Sequence, residues 1–386
     1  NLEPGSTNPN LVIAKLGVGG RICLFSSGAA HLVADLAGYF SGLPIPGQSV
    51  SQAQRPLLIK HGWDLPYPAW IQSHVREMEQ LGFDGVVTTL GPLSQSIYSQ
   101  TPVSYEEIRT ALSPLAQTRF TTMTHNFVII YAGSNQLYDD NTIALQNFRN
   151  LARAAREAGL EGIVYDNEYY TGGPGWKWPE ATPGQALEQA QGQAHDRGKQ
   201  AMEAMISAWP ETTLLAFYGP WVSDPGTAAN YEGAAFQPIP YNDVSWANQL
   251  LGPWVLGMID ATRGTAAKVV DGGEVYSLRS ATQFDQAYRW AKTEMASYGS
   301  IVPAAMRDSY ASDVSVGFGV FDRPSNGVGM DAAAWRETLA NALRRTDRYV
   351  WAYTESYDWW GSGWPVNRVP QVWIDATKAA KQAAVG

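Results

Sequence analysis

From residue 55 onward, short apolar runs alternate with longer stretches in which apolar positions recur every three or four residues, the pattern of strands and amphipathic helices in turn. Eight runs read as strands, at residues 57–63, 85–90, 120–125, 162–168, 213–218, 255–261, 314–321 and 349–355. Helical periodicity fills intervals at 68–81, 142–158, 183–208, 281–298 and 332–346, with 371–384 after the last strand. Thr182 followed by Pro183 is a helix-start signal, because threonine can cap free amides and proline at the first helical position gives up no hydrogen bond. Eight β/α units over residues 55–386 predict a (β/α)8 TIM barrel with insertions. The competing doubly wound sheet is expected to carry a glycine-rich phosphate loop after its first strand. Here that strand ends in His61-Gly62-Trp63-Asp64, with no such loop.

The first 42 residues follow a different rule. Short alternating apolar runs at 11–16, 22–26 and 31–40 are separated by glycine- and serine-rich turns, which predicts a partial β-rich module. Residues 43–54, with Pro44, Pro46 and Gly47, read as a linker to the barrel at 55–386.

Composition narrows the function. The chain has 386 residues and 45% hydrophobic positions, enough for a large core. Twenty-seven basic against 36 acidic side chains leave a net charge of −9, which argues against nucleic acid or an anionic membrane as partner. Fifteen Trp, 19 Tyr and 11 Phe stand beside only 16% charged residues. Sugar rings present apolar C–H faces that stack on flat aromatic side chains, so this balance suggests a secreted enzyme acting on carbohydrate. The single cysteine, Cys23, forbids an intrachain disulfide and a cysteine-based metal site. No run approaches the roughly 20 apolar residues a membrane span needs. Residues 1–10 lack the form of a signal peptide, and the chain reads as a mature or trimmed product. The five histidines show no zinc-hydrolase spacing, no serine-nucleophile elbow is present, and no cofactor is implied.

In a barrel the chemistry sits at the C-terminal ends of strands. The fourth strand ends in Tyr165-Asp166-Asn167-Glu168-Tyr169, and alternation puts Asp166 and Glu168 on one face, where each disfavours ionisation of the other. The eighth ends in Tyr353-Thr354-Glu355, followed by Trp359 and Trp360, which could floor a sugar site. Glu168 is therefore expected as general acid or acid/base, Glu355 as nucleophile or general base, and Asp166 as the group that tunes Glu168 or orients substrate. A third acidic group, Asp271 and Glu274, lies in the loop after the sixth strand and could supply the second carboxylate or bind hydroxyls. Trp63, Asp64, His125, Asn167, Tyr218, Trp359 and Trp360 are further candidates for substrate contact. Carboxyls about 5 Å apart imply retention at the anomeric carbon, and about 6.5–9.5 Å inversion.

The run His61-Gly62-Trp63-Asp64-x-Pro66, then Phe83-Asp84-Gly85-Val86-Val87, Asp166-x-Glu168-Tyr169 and Tyr353-x-Glu355-x-x-x-Trp359-Trp360 resembles a group of secreted actinobacterial-type barrel proteins associated with glycoside hydrolases. The likeness covers residues 55–386, and the N-terminal strands resemble a β-module of secreted actinobacterial proteins. Asn167-Glu168 is similar to the Asn-Glu pair of the large retaining barrel clan, which implies an acid/base role for Glu168. Gly162-Ile163-x-x-Asp166-x-Glu168 is similar to the catalytic strand of chitinase-like enzymes, with Val164 where that pattern has an acid. The function these readings imply is glycoside hydrolysis. A non-catalytic carbohydrate-binding barrel and a polysaccharide lyase are the alternatives.

Overall fold

In the computed structural model the described residues are 55–133, 137, 140–170, 173–224, 249–323 and 330–385. The readings for residues 1–42 and 43–54 lie outside them. Nine parallel strands are present among the described residues: β1 (Leu57–Gly62), β2 (Gly85–Thr88), β3 (Phe127–Tyr131), β4 (Gly162–Asp166), β5 (Thr213–Ala216), β6 (Lys268–Asp271), β7 (Val314–Val316), β8 (Phe318–Phe321) and β9 (Tyr349–Thr354). Their order is β7-β6-β5-β4-β3-β2-β1-β9-β8. β7 and β8 are halves of one run interrupted at Gly317. The first half pairs with β6 and the second with β9, so the sheet returns on itself. The Gly317 and Gly319 amides carry the closure across by donating to the carbonyls of Asp271 (2.7 Å) and Gly273 (3.1 Å). The fold is an α/β TIM barrel, as the periodicity predicts, with the single expected seventh strand split in two.

Helices follow the strands as α1 (Pro68–Met78), α2 (Tyr105–Ala116), α3 (Thr142–Glu157), α4 (Leu187–Ala208), α5 (Leu251–Thr262), α6 (Ala281–Arg289), α7 (Ala332–Leu343) and α8 (Gln371–Val385). Strands covered on both faces are apolar throughout, and two cores result. Leu58, Val86, Ile130, Ile163 and Leu214 face the helices. Leu57, Ile59, Val87, Ile129, Val164, Leu215, Val270 and Trp351 fill the barrel interior. The parity of the second set decides which side chains past the strand ends point over the mouth.

Three expectations are corrected. The third strand is 127–131 rather than 120–125, because Asn126 fixes the entry to it: its side chain accepts from the Val86 amide (3.0 Å) and donates to the Met123 carbonyl (2.8 Å). The run 255–261, expected as the sixth strand, lies in α5. That helix is apolar nearly all round and packs on α4 so closely that a Cβ on Gly198 would lie 2.0 Å from the Trp254 carbonyl oxygen. Asp260 accordingly sits on a helix and pairs with Lys199 (2.6 Å), while Asp271 ends the true sixth strand. α4 begins at Leu187, four residues past the Thr182-Pro183 signal. Gly184, at φ +82°, makes 183–186 a turn, and Gln189 then accepts from the Ala186 amide (3.3 Å).

Candidate active site

β4 delivers the first carboxylates. Gly162 and Val164 point inward, so Asp166 and, past the strand end, Glu168 continue that face over the mouth. The Tyr170 hydroxyl lies 3.3 and 3.2 Å from the two oxygens of Asp166 and also donates to Glu168. The Tyr218 hydroxyl donates to the other Glu168 oxygen at 2.8 Å. Tyr218 is itself fixed by Asn167, whose amide pairs with both backbone groups of Tyr218 (2.8 and 2.9 Å).

The third carboxylate comes from the loop after β6. Val270 faces the barrel interior and Asp271 therefore faces outward. The turn at Gly272-Gly273, with Gly273 at φ +56°, breaks this parity, and Glu274 joins the mouth with its amide on the Phe217 carbonyl (3.1 Å). One Glu274 oxygen is buried without a hydrogen-bond partner. Burial pushes the Glu274 carboxyl well up, and the charges of Glu168 and Asp166 add to this. Asp166 is pushed well up by burial and then by Glu168. Glu168 is also raised by burial, but the hydrogen bonds from Tyr170 and Tyr218 favour its ionised form. Among the described residues no lysine or arginine acts on any of the three.

Glu355 has different surroundings. It follows β9, accepts from Tyr353 (3.0 Å) and pairs with Arg323 at 3.6 Å. Asp322, at the end of β8, holds the turn by accepting from the Glu355 and Ser356 amides (3.1 and 2.9 Å). Trp63 stacks on Trp364 with ring centroids 6.2 Å apart.

Several expected contacts lie elsewhere. Asp64 is buried in an ion pair with Lys60 (2.6 Å) and accepts from the Trp359 amide (2.9 Å), tying the β1 loop to the β9 loop. Trp359 and Trp360 are core residues packed on Phe83, not a sugar floor. His125 precedes β3 at the far end of the barrel and pairs with Glu161 (3.0 Å). Asn167 is fully buried on backbone groups. Asp271 lies beneath Gly219, takes bonds from Trp221 (3.2 Å) and the Gly273 amide (3.1 Å), and is pushed up to about 7 by burial. Trp63 and Tyr218 do reach the mouth. Tyr170, Tyr276, Tyr353 and Trp364 are additional site residues. The three tyrosines each stand two positions from a mouth carboxylate, so alternation was the signal that pointed to them. His61, on the same inward face of β1, is held near 3 by burial and then by Lys60; it is neutral and packs among Phe217, Trp351 and Tyr353.

No group of three or more His, Cys, Asp or Glu among the described residues is arranged to hold a metal ion. Nor is any described helix long and apolar enough to cross a membrane.

No family model and no curated protein matches the sequence. Among solved structures, the chain is similar to a GH5-4 broad-specificity endoglucanase from an uncultured bacterium, at 10% identity and a TM-score of 0.46 over 84% of this chain and 86% of that one. A β-mannanase from Streptomyces thermolilacinus, solved with mannohexaose, is 12% identical with a TM-score of 0.41 over 86% and 90%. A 3-keto-D-glucoside 4-epimerase from E. coli is 12% identical with a TM-score of 0.39 over 85% and 99%. At this level of similarity no activity transfers to this chain.

Proposed function

We propose that the chain is a secreted glycoside hydrolase whose catalytic pair is Glu168 and Glu274. The observation that carries this reading is three mouth carboxylates, Asp166, Glu168 and Glu274, whose charges bear on one another with no lysine or arginine among the described residues acting on them. Such a group holds protons unequally, and glycosidic cleavage needs one carboxyl protonated and one ionised. Glu168, with hydroxyl donors on both oxygens, is the ionised member. Glu274, more strongly raised and with an unpartnered oxygen, keeps the proton. Glu274 then protonates the leaving glycosidic oxygen, while Glu168 attacks the anomeric carbon or takes the proton from an attacking water. Asp166 accepts from the Tyr170 hydroxyl, which also donates to Glu168. This reverses the acid role expected for Glu168 from sequence and assigns the second carboxylate to Glu274 in place of Glu355, which Arg323 and Tyr353 already engage.

Release of reducing ends from a panel of polysaccharides tests the reading. Wild type should release them from at least one polymer, and Glu168→Gln should abolish release while keeping the fold by circular dichroism. An ultraviolet-absorbing unsaturated product would indicate a lyase. Retention of polymer with no product would indicate a binding protein.

A further inference from the structure

The large apolar side chains left exposed are not scattered. Of the seven among the described residues, Trp63, Tyr67, Tyr170, Trp364 and Val366 stand on loops at the C-terminal mouth. Trp63 and Trp364 are 49% and 56% exposed, yet their rings lie nearly parallel, 13° apart. Both are rigidly based. The Trp63 amide donates to the Thr354 carbonyl (3.1 Å), and the chain just past Thr354 is held by Asp322, which accepts from the Glu355 and Ser356 amides. Trp364 sits in a loop pinned by Asp358, which accepts from the amides of Trp360 (3.0 Å), Gly361 (2.8 Å) and Gly363 (2.7 Å).

We infer that Trp63 and Trp364 form a sugar-binding subsite at the rim, stacking on the apolar face of a neutral pyranose in a polysaccharide that runs into the cleft. The inference rests on the proposed glycosidase reading and names the substrate class of that site. Preformed aromatic surface binds with little ordering cost, and C–H faces of pyranoses supply the complementary surface. Charge selects neutral polymers over uronates. Three carboxylates occupy the cleft, and the described cations on the loops after β1, β8 and β9, which carry or adjoin the two tryptophans, are Arg323 and Arg368, paired with Glu355 and Asp358.

The test measures binding without turnover. Full-length Glu168→Gln protein is titrated with hydroxyethyl cellulose, glucomannan, amylose and polygalacturonate, followed by tryptophan fluorescence and affinity electrophoresis. Binding to at least one neutral polymer and none to polygalacturonate is expected. Added to that background, Trp63→Ala or Trp364→Ala should each weaken affinity about tenfold, in line with an aromatic contact of roughly 1.4 kcal/mol. Trp364→Phe should stay within about threefold, since it keeps a stacking ring. Trp364 is exposed, so the variant fold is secure, and circular dichroism checks it. Unchanged affinity in Trp364→Ala, preference for polygalacturonate, or no binding to any neutral polymer overturns the inference. Hydrolysis by wild type with an inert platform sinks this inference alone, whereas platform-dependent binding without hydrolysis sinks the glycosidase reading alone.

Discussion

Tyr218→Phe isolates the claim that Glu168 works ionised. The Tyr218 hydroxyl donates to a Glu168 oxygen at 2.8 Å from a side chain only 6% exposed. A hydrogen bond to a charged group contributes about 1.5–3 kcal/mol, and 1.36 kcal/mol corresponds to one pKa unit, so losing it should raise the Glu168 pKa by about 1–2 units. The sign is fixed by the donor: it favours the carboxylate, and its removal favours the acid. If Glu168 is the base or nucleophile, the acidic limb of the pH–rate profile moves to higher pH by that amount and the alkaline limb stays. If Glu168 is the proton donor, the alkaline limb moves instead. The assay is the pH dependence of kcat/KM on whichever polysaccharide the panel identifies, with carbon-13 titration of the glutamate carboxyls as a check independent of turnover. Movement of the alkaline limb, or no movement of either, refutes the reasoning.

Two further outcomes concern the frame. Lys60→Met strands the fully buried Asp64 carboxylate and should lower unfolding free energy by about 3–5 kcal/mol in urea titration; a loss below about 1 kcal/mol would mean the pair is not buried as described. Asp271 is raised to about 7 in the folded state against an ordinary 3.8, so its contribution is fully present below about pH 4 and is lost as pH rises to about 7. Asp271→Asn keeps the acceptor for Trp221 and Gly273, and its stability relative to wild type should rise between pH 5 and pH 8, by up to about 3 kcal/mol. An equal difference at both values removes that assignment.

Much of the barrel was legible because a parallel strand covered on both faces is a short apolar run, and helices with one wet face keep their period. The reading failed where period vanishes. Residues 251–262 are buried all round as a helix, so nothing in their pattern separates them from a strand. The break at Gly317 depends on which neighbours each half meets, a tertiary fact. Alternation placed Asp166 and Glu168 together correctly, but it cannot follow the chain through the Gly272-Gly273 turn that brings Glu274 to the same mouth. Trp359 and Trp360 looked like a sugar floor because tryptophan suits both core and ligand; only packing against Phe83 decides. The pairing of Glu355 with Arg323 joins residues on different strand ends and leaves no trace in spacing.

The most direct test of the catalytic pair compares Glu274→Gln with Glu355→Gln in single-turnover cleavage of the identified polysaccharide, with substrate saturating. The account predicts a fall in the cleavage rate of about a thousandfold or more for Glu274→Gln, the scale on which loss of an essential acid is felt, and only a small change for Glu355→Gln. Near-parental cleavage by Glu274→Gln together with collapse of Glu355→Gln would contradict it.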